Sequence, residues 1–151
     1  MVSLNYPEPD FRMREEAGRR QIFDILRKGW VSLTPEEWVR QNIIRWLTIS
    51  LGYPGALMAV ERELMLGDMR KRFDILVYDR AHRPWMMLEC KAPEVKLGEA
   101  VLHQILMYNM SVPVPYLVVT NGNECHAAER RESGLVWLEQ MPAFPDGGQP
   151  L

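Results

Sequence analysis

The sequence predicts a mixed α/β fold in which a central β-sheet is flanked by helices. Three observations predict it: a capped amphipathic helix that opens at Thr34, three strand-like runs behind it, and a second helical stripe followed by a short apolar run and a tight turn. That alternation makes a mixed sheet flanked by helices. With 151 residues, 47% of them hydrophobic and 25% charged, the chain is of a size to fold as one unit with its own core.

Residues 1–19 are polar and proline-bearing and read as an arm over the surface. The domain proper is placed at 20–140. The tail, 141–151, is rich in proline and glycine and is expected to fray. Within 21–33 the apolar residues Ile22, Phe23, Ile25, Trp30, Val31 and Leu33 follow a mixed pattern, read as short strands or an irregular lead-in. Thr34-Pro35-Glu36-Glu37 then signals a helix start. Threonine suits the N-cap, proline the first helical position, and Glu37 stands three residues after the cap, as in a capping box. Val39, Ile43, Trp46 and Leu47 recur at helical spacing until Gly52-Tyr53-Pro54-Gly55.

Strand-like runs follow at 57–66, 72–78 and 84–91, the last two joined by a short polar link of hairpin length. Residues 97–110 place Leu97, Val101, Ile105 and Tyr108 near one helical stripe. Residues 116–120 read as a buried strand stopped by Asn121-Gly122, a dipeptide that favours a tight turn into a further strand at 124–129; a last strand is expected at 134–138.

The chemistry-bearing pattern lies on the middle strands. Side chains alternate across a strand, so Glu89 and Lys91 point to one face while Leu88 and Cys90 point to the other. On the neighbouring run Asp74 stands between Phe73 and Ile75. If the two strands pair as a hairpin, Asp74 and Glu89 converge on one point. Two hard carboxylate oxygens there suit Mg²⁺, which takes one or two carboxylates, waters and substrate phosphate. Such an ion activates water and polarises a phosphate, and Lys91 is placed to orient that water or to stabilise the developing charge. The competing reading of all three as solvated charges at strand ends stays open on spacing alone.

At the level of several separate blocks the sequence resembles the PD-(D/E)xK nuclease superfamily, and within it the N-terminal nuclease domain of type I restriction enzyme motor subunits. The blocks are Thr34-Pro35-Glu36-Glu37-Trp38-Val39-Arg40-Gln41, Lys71-Arg72-Phe73-Asp74-Ile75, Leu88-Glu89-Cys90-Lys91-Ala92-Pro93, Gln104 with Tyr108-Asn109, and Pro115 through Gly122. They cover about residues 20–130. The resemblance implies a restriction-endonuclease-like core of the order αβββαβ and Mg²⁺-dependent cleavage of DNA phosphodiesters, with Mn²⁺ as a substitute metal. It makes Asp74 the motif's "D" and Glu89 and Lys91 its "ExK", with Phe73 standing where the motif name has proline. It also makes Glu37 the helix-borne acid near the metal, in competition with its capping role. Gln104 is implied to line the site, and Tyr108, Arg72 and Lys71 are candidates to touch substrate. Glu61 and Glu63, on the preceding strand, read more readily as solvated than as catalytic.

DNA is the implied partner, with a homodimer or other restriction subunits as possible companions. The rival class is a non-catalytic DNA-binding or partner-activated subunit of a restriction, defence or DNA-repair complex. An intact trio at 74, 89 and 91 favours catalysis over that rival.

Net charge, −2, argues mildly against non-specific DNA binding, but Arg19-Arg20, Arg27-Lys28, Arg70-Lys71-Arg72 and Arg130-Arg131 offer material for a basic rim. Cys90 and Cys125, far apart and outside any CxxC pattern, suggest reduced thiols. His82, His103 and His126 lack metal-ligand spacing. Trp38, Trp46, Trp85 and Trp137 read as core or edge packing. With no signal peptide and no apolar run near the roughly 20 residues of a membrane span, the expected location is cytoplasmic.

Overall fold

The computed structural model describes residues 1–146. A three-stranded antiparallel sheet comes first: β1 (Met13–Glu16), β2 (Arg19–Asp24) and β3 (Gly29–Ser32). Helix α1 (Pro35–Arg45) follows, runs on through a π-helical turn at Trp46–Ser50 and ends before a 3-10 turn at Gly55–Leu57. The second sheet has six strands in sequence order: β4 (Met58–Leu66), β5 (Met69–Tyr78), β6 (Pro84–Cys90), β7 (Tyr116–Thr120), β8 (Cys125–Arg131) and β9 (Gly134–Leu138). Helix α2 (Glu99–Asn109) crosses over between β6 and β7, which run parallel; every other neighbouring pair is antiparallel. The order α1-β4-β5-β6-α2-β7 is the αβββαβ core that the resemblance implies.

Alternation along the strands divides the core into two layers. Ile75, Val77, Met86, Leu88 and Cys90 pack against Val39, Ile43, Ile44 and Leu47 of α1 and its extension. Leu76, Met87 and Leu117 join Leu106 of α2 in a second cluster, and Val119 joins Leu97 and Leu102 in a third. The sheet therefore has one helix on each face, and its central strands are buried on both sides.

The start of α1 is held by its cap: Thr34 Oγ accepts the Glu37 backbone N–H at 3.0 Å. The reciprocal half of a capping box is absent, because the Thr34 N–H donates to Ser32 and the Glu37 carboxylate is engaged elsewhere.

Both chain ends differ from expectation. The segment expected as an arm contributes β1, whose four exposed residues lack the apolar alternation that would mark a strand in sequence. It also sends Val2 into the core, where its N–H donates to Cys125 and the Tyr6 hydroxyl donates to Gly122. In the tail, Phe144 packs on Tyr53 and Trp85, with ring centroids 5.9 and 5.3 Å away, and the Tyr53 hydroxyl donates to Pro142. Aromatic burial thus holds part of a segment expected to fray; residues 147–151 lie outside the described residues.

The turn after β7 also seats the helix. Asn121 Oδ1 accepts the N–H groups of Asn123 and Glu124, and Gly122 adopts φ +90°. A Cβ at Gly122 would lie 3.2 Å from the Val39 side chain. Gly122→Ala is therefore expected to lower stability by about 1–3 kcal/mol through backbone strain and pressure on α1. Chemical denaturation of the two proteins checks this, and an unchanged midpoint would refute it.

Candidate active site

The antiparallel pairing of β5 with β6 runs Val77↔Met86, Leu76↔Met87, Ile75↔Leu88. One step further along that register Asp74 lies opposite Glu89, as the hairpin reading requires. Their carboxyl groups are close enough for the Asp74 charge to act on the ionisation of Glu89. Burial pushes Glu89 up to about 7, the Asp74 carboxylate beside it adds to the shift, and the Lys91 ammonium opposes it. The structure thus brings together Asp74, Glu89 and Lys91.

Asp74 is held from two sides. Its Oδ2 accepts the Cys90 backbone N–H at 2.7 Å, and its Oδ1 accepts Arg40 Nη2 at 3.1 Å. Arg40, on α1 and almost wholly buried, also places Nη1 at 2.9 Å from Glu37 and 3.3 Å from Glu61. Glu37 in turn accepts Arg27 Nη2 at 2.9 Å and Gln41 at 3.0 Å. The network ends at Asp24, which is fully buried and accepts Arg27 Nε at 2.6 Å together with the N–H groups of Leu26 and Arg27. Burial pushes Asp24 up, but these hydrogen bonds to Arg27 and Leu26 outweigh it and hold the carboxyl below the usual range.

Glu37 therefore commits its oxygens to two arginines and a glutamine, and it reaches Asp74 only through Arg40. The helix-borne acid that faces the pair is its neighbour, Glu36. Burial raises the Glu36 carboxyl, the Asp74 charge raises it further, and Arg40 and Lys91 oppose both. Glu36 Oε1 lies 3.8 Å from the same Arg40 Nη2 that holds Asp74. Sequence reasoning passed over Glu36 because the resemblance made Glu37 the helix-borne acid, with capping as its competing role. Adjacent helical residues point about 100° apart, so the two acids cannot both face the pair, and nothing local in the sequence says which one does.

Glu61 stands opposite Asp74 in the β4–β5 register, yet it is missing from the ladder and has φ +52°. Burial would raise its carboxyl, but Arg40, Arg27 and Arg72 hold it below the ordinary range. Glu61 therefore serves as a counter-charge at the wall of the site.

The other sequence candidates lie further out. Lys71 is buried, its ammonium donates to the Tyr108 carbonyl, and it sits 4.1 Å from the centroid of the Tyr108 ring. Desolvation draws Lys71 below the usual lysine range. Tyr108 thus covers Lys71 and not Lys91. Gln104 is exposed on α2 and makes no side-chain hydrogen bond among the described residues. Arg72 is exposed and pairs with Glu61 at 3.0 Å.

Ser32, Glu36, Arg40, Glu61 and Ala92 line a polar cleft of about 480 Å³. The largest cavity, about 730 Å³, lies elsewhere, between α2 and the β8–β9 hairpin. Its lining is mainly apolar, whereas the cleft beside α1 is lined by Glu36, Glu37, Arg40 and Glu61, of which Arg40 holds Asp74; Asp74, Glu89 and Lys91 themselves line neither.

The pair fits a hard divalent cation. Two carboxylates converge, and one of them is pushed up to about 7, a strain that a cation relieves. Among the described residues no group of three or more His, Cys, Asp or Glu is arranged to hold a metal, so further donors would have to be water and phosphate oxygens. Nor, among those residues, is any helix long and apolar enough to cross a membrane.

No curated protein matches the chain. Residues 35–145 match the family described as type I restriction enzyme R protein N terminus, a span that starts at α1 and takes in every strand of the six-stranded sheet. With that match over most of its length, and with the αβββαβ core in place, the chain belongs to the type I restriction enzyme R protein N-terminal family, whose function is restriction and nuclease-related.

Proposed function

We propose that the protein is a Mg²⁺-dependent deoxyribonuclease in which Asp74 and Glu89 hold the ion and Lys91 acts on the reacting phosphate. The observation that carries this reading is the convergence of Asp74 and Glu89, with Glu89 pushed up to about 7 and Lys91 beside it. Bound Mg²⁺ supplies Lewis-acid polarisation of a phosphate oxygen and lowers the pKa of a coordinated water.

The protein's own groups do the remainder. Arg40 and the Cys90 N–H fix both oxygens of Asp74, so the carboxylate is oriented before substrate arrives. Lys91 stands two residues after Glu89, just past the end of β6, and its ammonium acts to orient the attacking water or to donate to the phosphate oxygens where charge develops. Glu36, half-exposed at the mouth of the cleft, is the third acid available to the site. Hydrolysis adds water across one P–O bond and leaves a phosphate monoester and a hydroxyl.

Cleavage of supercoiled plasmid and of single-stranded DNA with Mg²⁺ or Mn²⁺, compared with Asp74→Ala, tests the reading. Metal-dependent cutting that the variant loses is expected. A folded, metal-binding wild type that cuts neither substrate would overturn it in favour of a partner-activated or DNA-binding subunit.

Lys91→Ala is expected to reduce turnover at least about 100-fold while leaving Mg²⁺ affinity within a few-fold. Calorimetry of Mg²⁺ binding alongside the cleavage rate separates the two effects. Lost metal binding with surviving cleavage would refute the role given to Lys91.

The raised Glu89 carboxyl has a consequence for stability. An acid raised on folding holds its proton more tightly in the native state, so Glu89 lowers stability as pH climbs from its ordinary 4.5 to about 7, and the deficit persists above that. In the metal-free protein Glu89→Gln is therefore expected to raise stability by about 2 kcal/mol near pH 8 and by little near pH 4. Thermal unfolding at both pH values checks this, and an equal difference at the two would contradict it.

A further inference from the structure

We infer that the N-terminal three-stranded sheet is a DNA-binding wall of the catalytic cleft, with Arg12, Arg14, Arg19 and Arg20 contacting phosphates on either side of the scissile bond. This inference rests on the deoxyribonuclease reading. The sheet, residues 13–32, lies wholly before the span matched to the family.

Charge placement is the first argument. Residues 11–33 carry six of the chain's 18 lysines and arginines but only three of its 20 acids, a local balance of +3 that leaves −5 for the rest of the chain. An acidic protein that handles a polyanion needs its positive charge gathered near the site, and here it is gathered on one sheet. Around the catalytic acids the arginines are already committed: Arg27, Arg40 and Arg72 are all ion-paired. On the sheet Arg12, Arg19 and Arg20 are exposed and make no ion pair among the described residues, and Arg14 has only an exposed partner, Glu16, at 3.7 Å.

Continuity with the cleft is the second. The register aligns Arg14, Gln21 and Ser32 in one row across the three strands, and Ser32 at the end of that row also lines the cleft that holds Glu36, Arg40 and Glu61. Arg20 lines an adjoining cavity of about 450 Å³ with Met13, Thr34, Trp38 and Pro93; Pro93 stands two residues after Lys91 and Trp38 is 37% exposed. Arg14 and Arg19 alternate onto the face of the Ser32 row and Arg20 onto the opposite face, so the sheet carries arginines on both of its faces beside the cleft.

The third argument is preorganisation. The Arg14 guanidinium lies 4.4 Å from the Trp30 ring centroid, and that of Arg12 lies 4.6 Å from Phe23 and 5.5 Å from Trp30. Phe23 and Trp30 meet edge to face at 5.4 Å, and Arg14 Nε donates to Gln21 at 2.7 Å. Stacking holds the guanidinium planes while leaving N–H groups for phosphate oxygens, so less freedom is lost when DNA binds. Phosphate contacts of this kind position the substrate without reading its sequence.

The test replaces Arg12, Arg14, Arg19 and Arg20 together with glutamine in the full chain. Affinity for a labelled duplex and a labelled single strand is measured by anisotropy in EDTA across a salt series, with DNA cleavage in Mg²⁺ read in parallel. At least about tenfold weaker binding is expected, with a log–log salt slope shallower by about 0.7–0.9 for each phosphate that the variant no longer neutralises. The matching Arg→Lys set should recover most of the slope, since it restores charge. Folding is verified by thermal melting, and exposed arginines on a polar sheet give little reason for collapse; should the glutamine set unfold, the single variants Arg14→Gln and Arg20→Gln carry the same test. A folded variant with unchanged affinity, slope and KM overturns the DNA-binding wall and leaves the nuclease reading standing, provided the wild type cuts. A wild type that neither binds nor cuts DNA overturns both.

Discussion

The placement of the candidate site depends on one buried arginine. Arg40 is carried by α1 but directs its hydrogen bonds to Glu37 of its own helix, Glu61 of β4 and Asp74 of β5. Taking a guanidinium out of water is unfavourable unless anions surround it, and three carboxylates do so here. In return the charge locks the helix to the two strands at the level where the chemistry is assembled. Removing Arg40 would take from Asp74 its arginine and leave Glu37 with Arg27 alone, and breaking a buried ion pair in this way typically costs about 3–5 kcal/mol. The tie extends past the core. Arg27, anchored on Asp24 between β2 and β3, reaches Glu37 and Glu61, so the N-terminal sheet is fastened to the same cluster of charges.

Regular strand geometry gives way where this network meets the sheet. Phe73 and Leu76 pack in the α2 layer, whereas Ile75 and Val77 pack in the α1 layer. A strict two-residue period would put Phe73 with Ile75, so β5 changes phase at Asp74. Opposite it, Glu61 leaves the ladder with a positive φ, a conformation disfavoured for a residue with a Cβ. Both irregularities serve one end: they turn Asp74 away from the hydrophobic layers, toward Arg40 and the Cys90 N–H. Local rules are thus broken at a single level of the sheet, with arginines compensating, which is where the proposed function puts its acids.

How much of this was legible follows from which forces are local. The strands at 116–120 and 134–138, the Thr34 cap and the meeting of Asp74 with Glu89 could be read, because alternation, cap chemistry and a short hairpin link are properties of neighbouring residues. β1 could not, since all four of its residues are exposed and its pairing with β2 leaves no apolar trace. Glu37 was read as a cap residue from its spacing to Thr34 and as the helix-borne acid from the resemblance, but its partners Arg27 and Gln41, and the Arg40 bond to Asp74, are tertiary facts. The same holds for Glu36: only the docking of α1 on the sheet decides which of two adjacent acids looks into the cleft. Tyr108 was placed on the correct helix, yet the lysine it covers belongs to a strand far away in sequence.

The charges within the network give the proposed metal a physical reason. Asp24, Glu36, Glu37, Glu61, Asp74 and Glu89 are six acids joined by contacts or by mutual fields, against four cations, Arg27, Arg40, Arg72 and Lys91. Fully ionised, the cluster would carry two negative charges in excess. The deeper acids already have their cations: Asp24 has Arg27, Glu37 has both Arg27 and Arg40, and Asp74 has Arg40. Glu89 has no ion pair among the described residues and Glu36 only the 3.8 Å contact with Arg40, and these are the two carboxyls of the cluster whose pKa values are raised, by burial first and by the Asp74 charge second. Protonation relieves part of that excess without a ligand. A divalent cation would relieve all of it, and would do so beside Lys91, where a phosphate can complete the coordination. The arginines thus leave the unbalanced charge on Glu89 and Glu36, beside the position proposed for the ion.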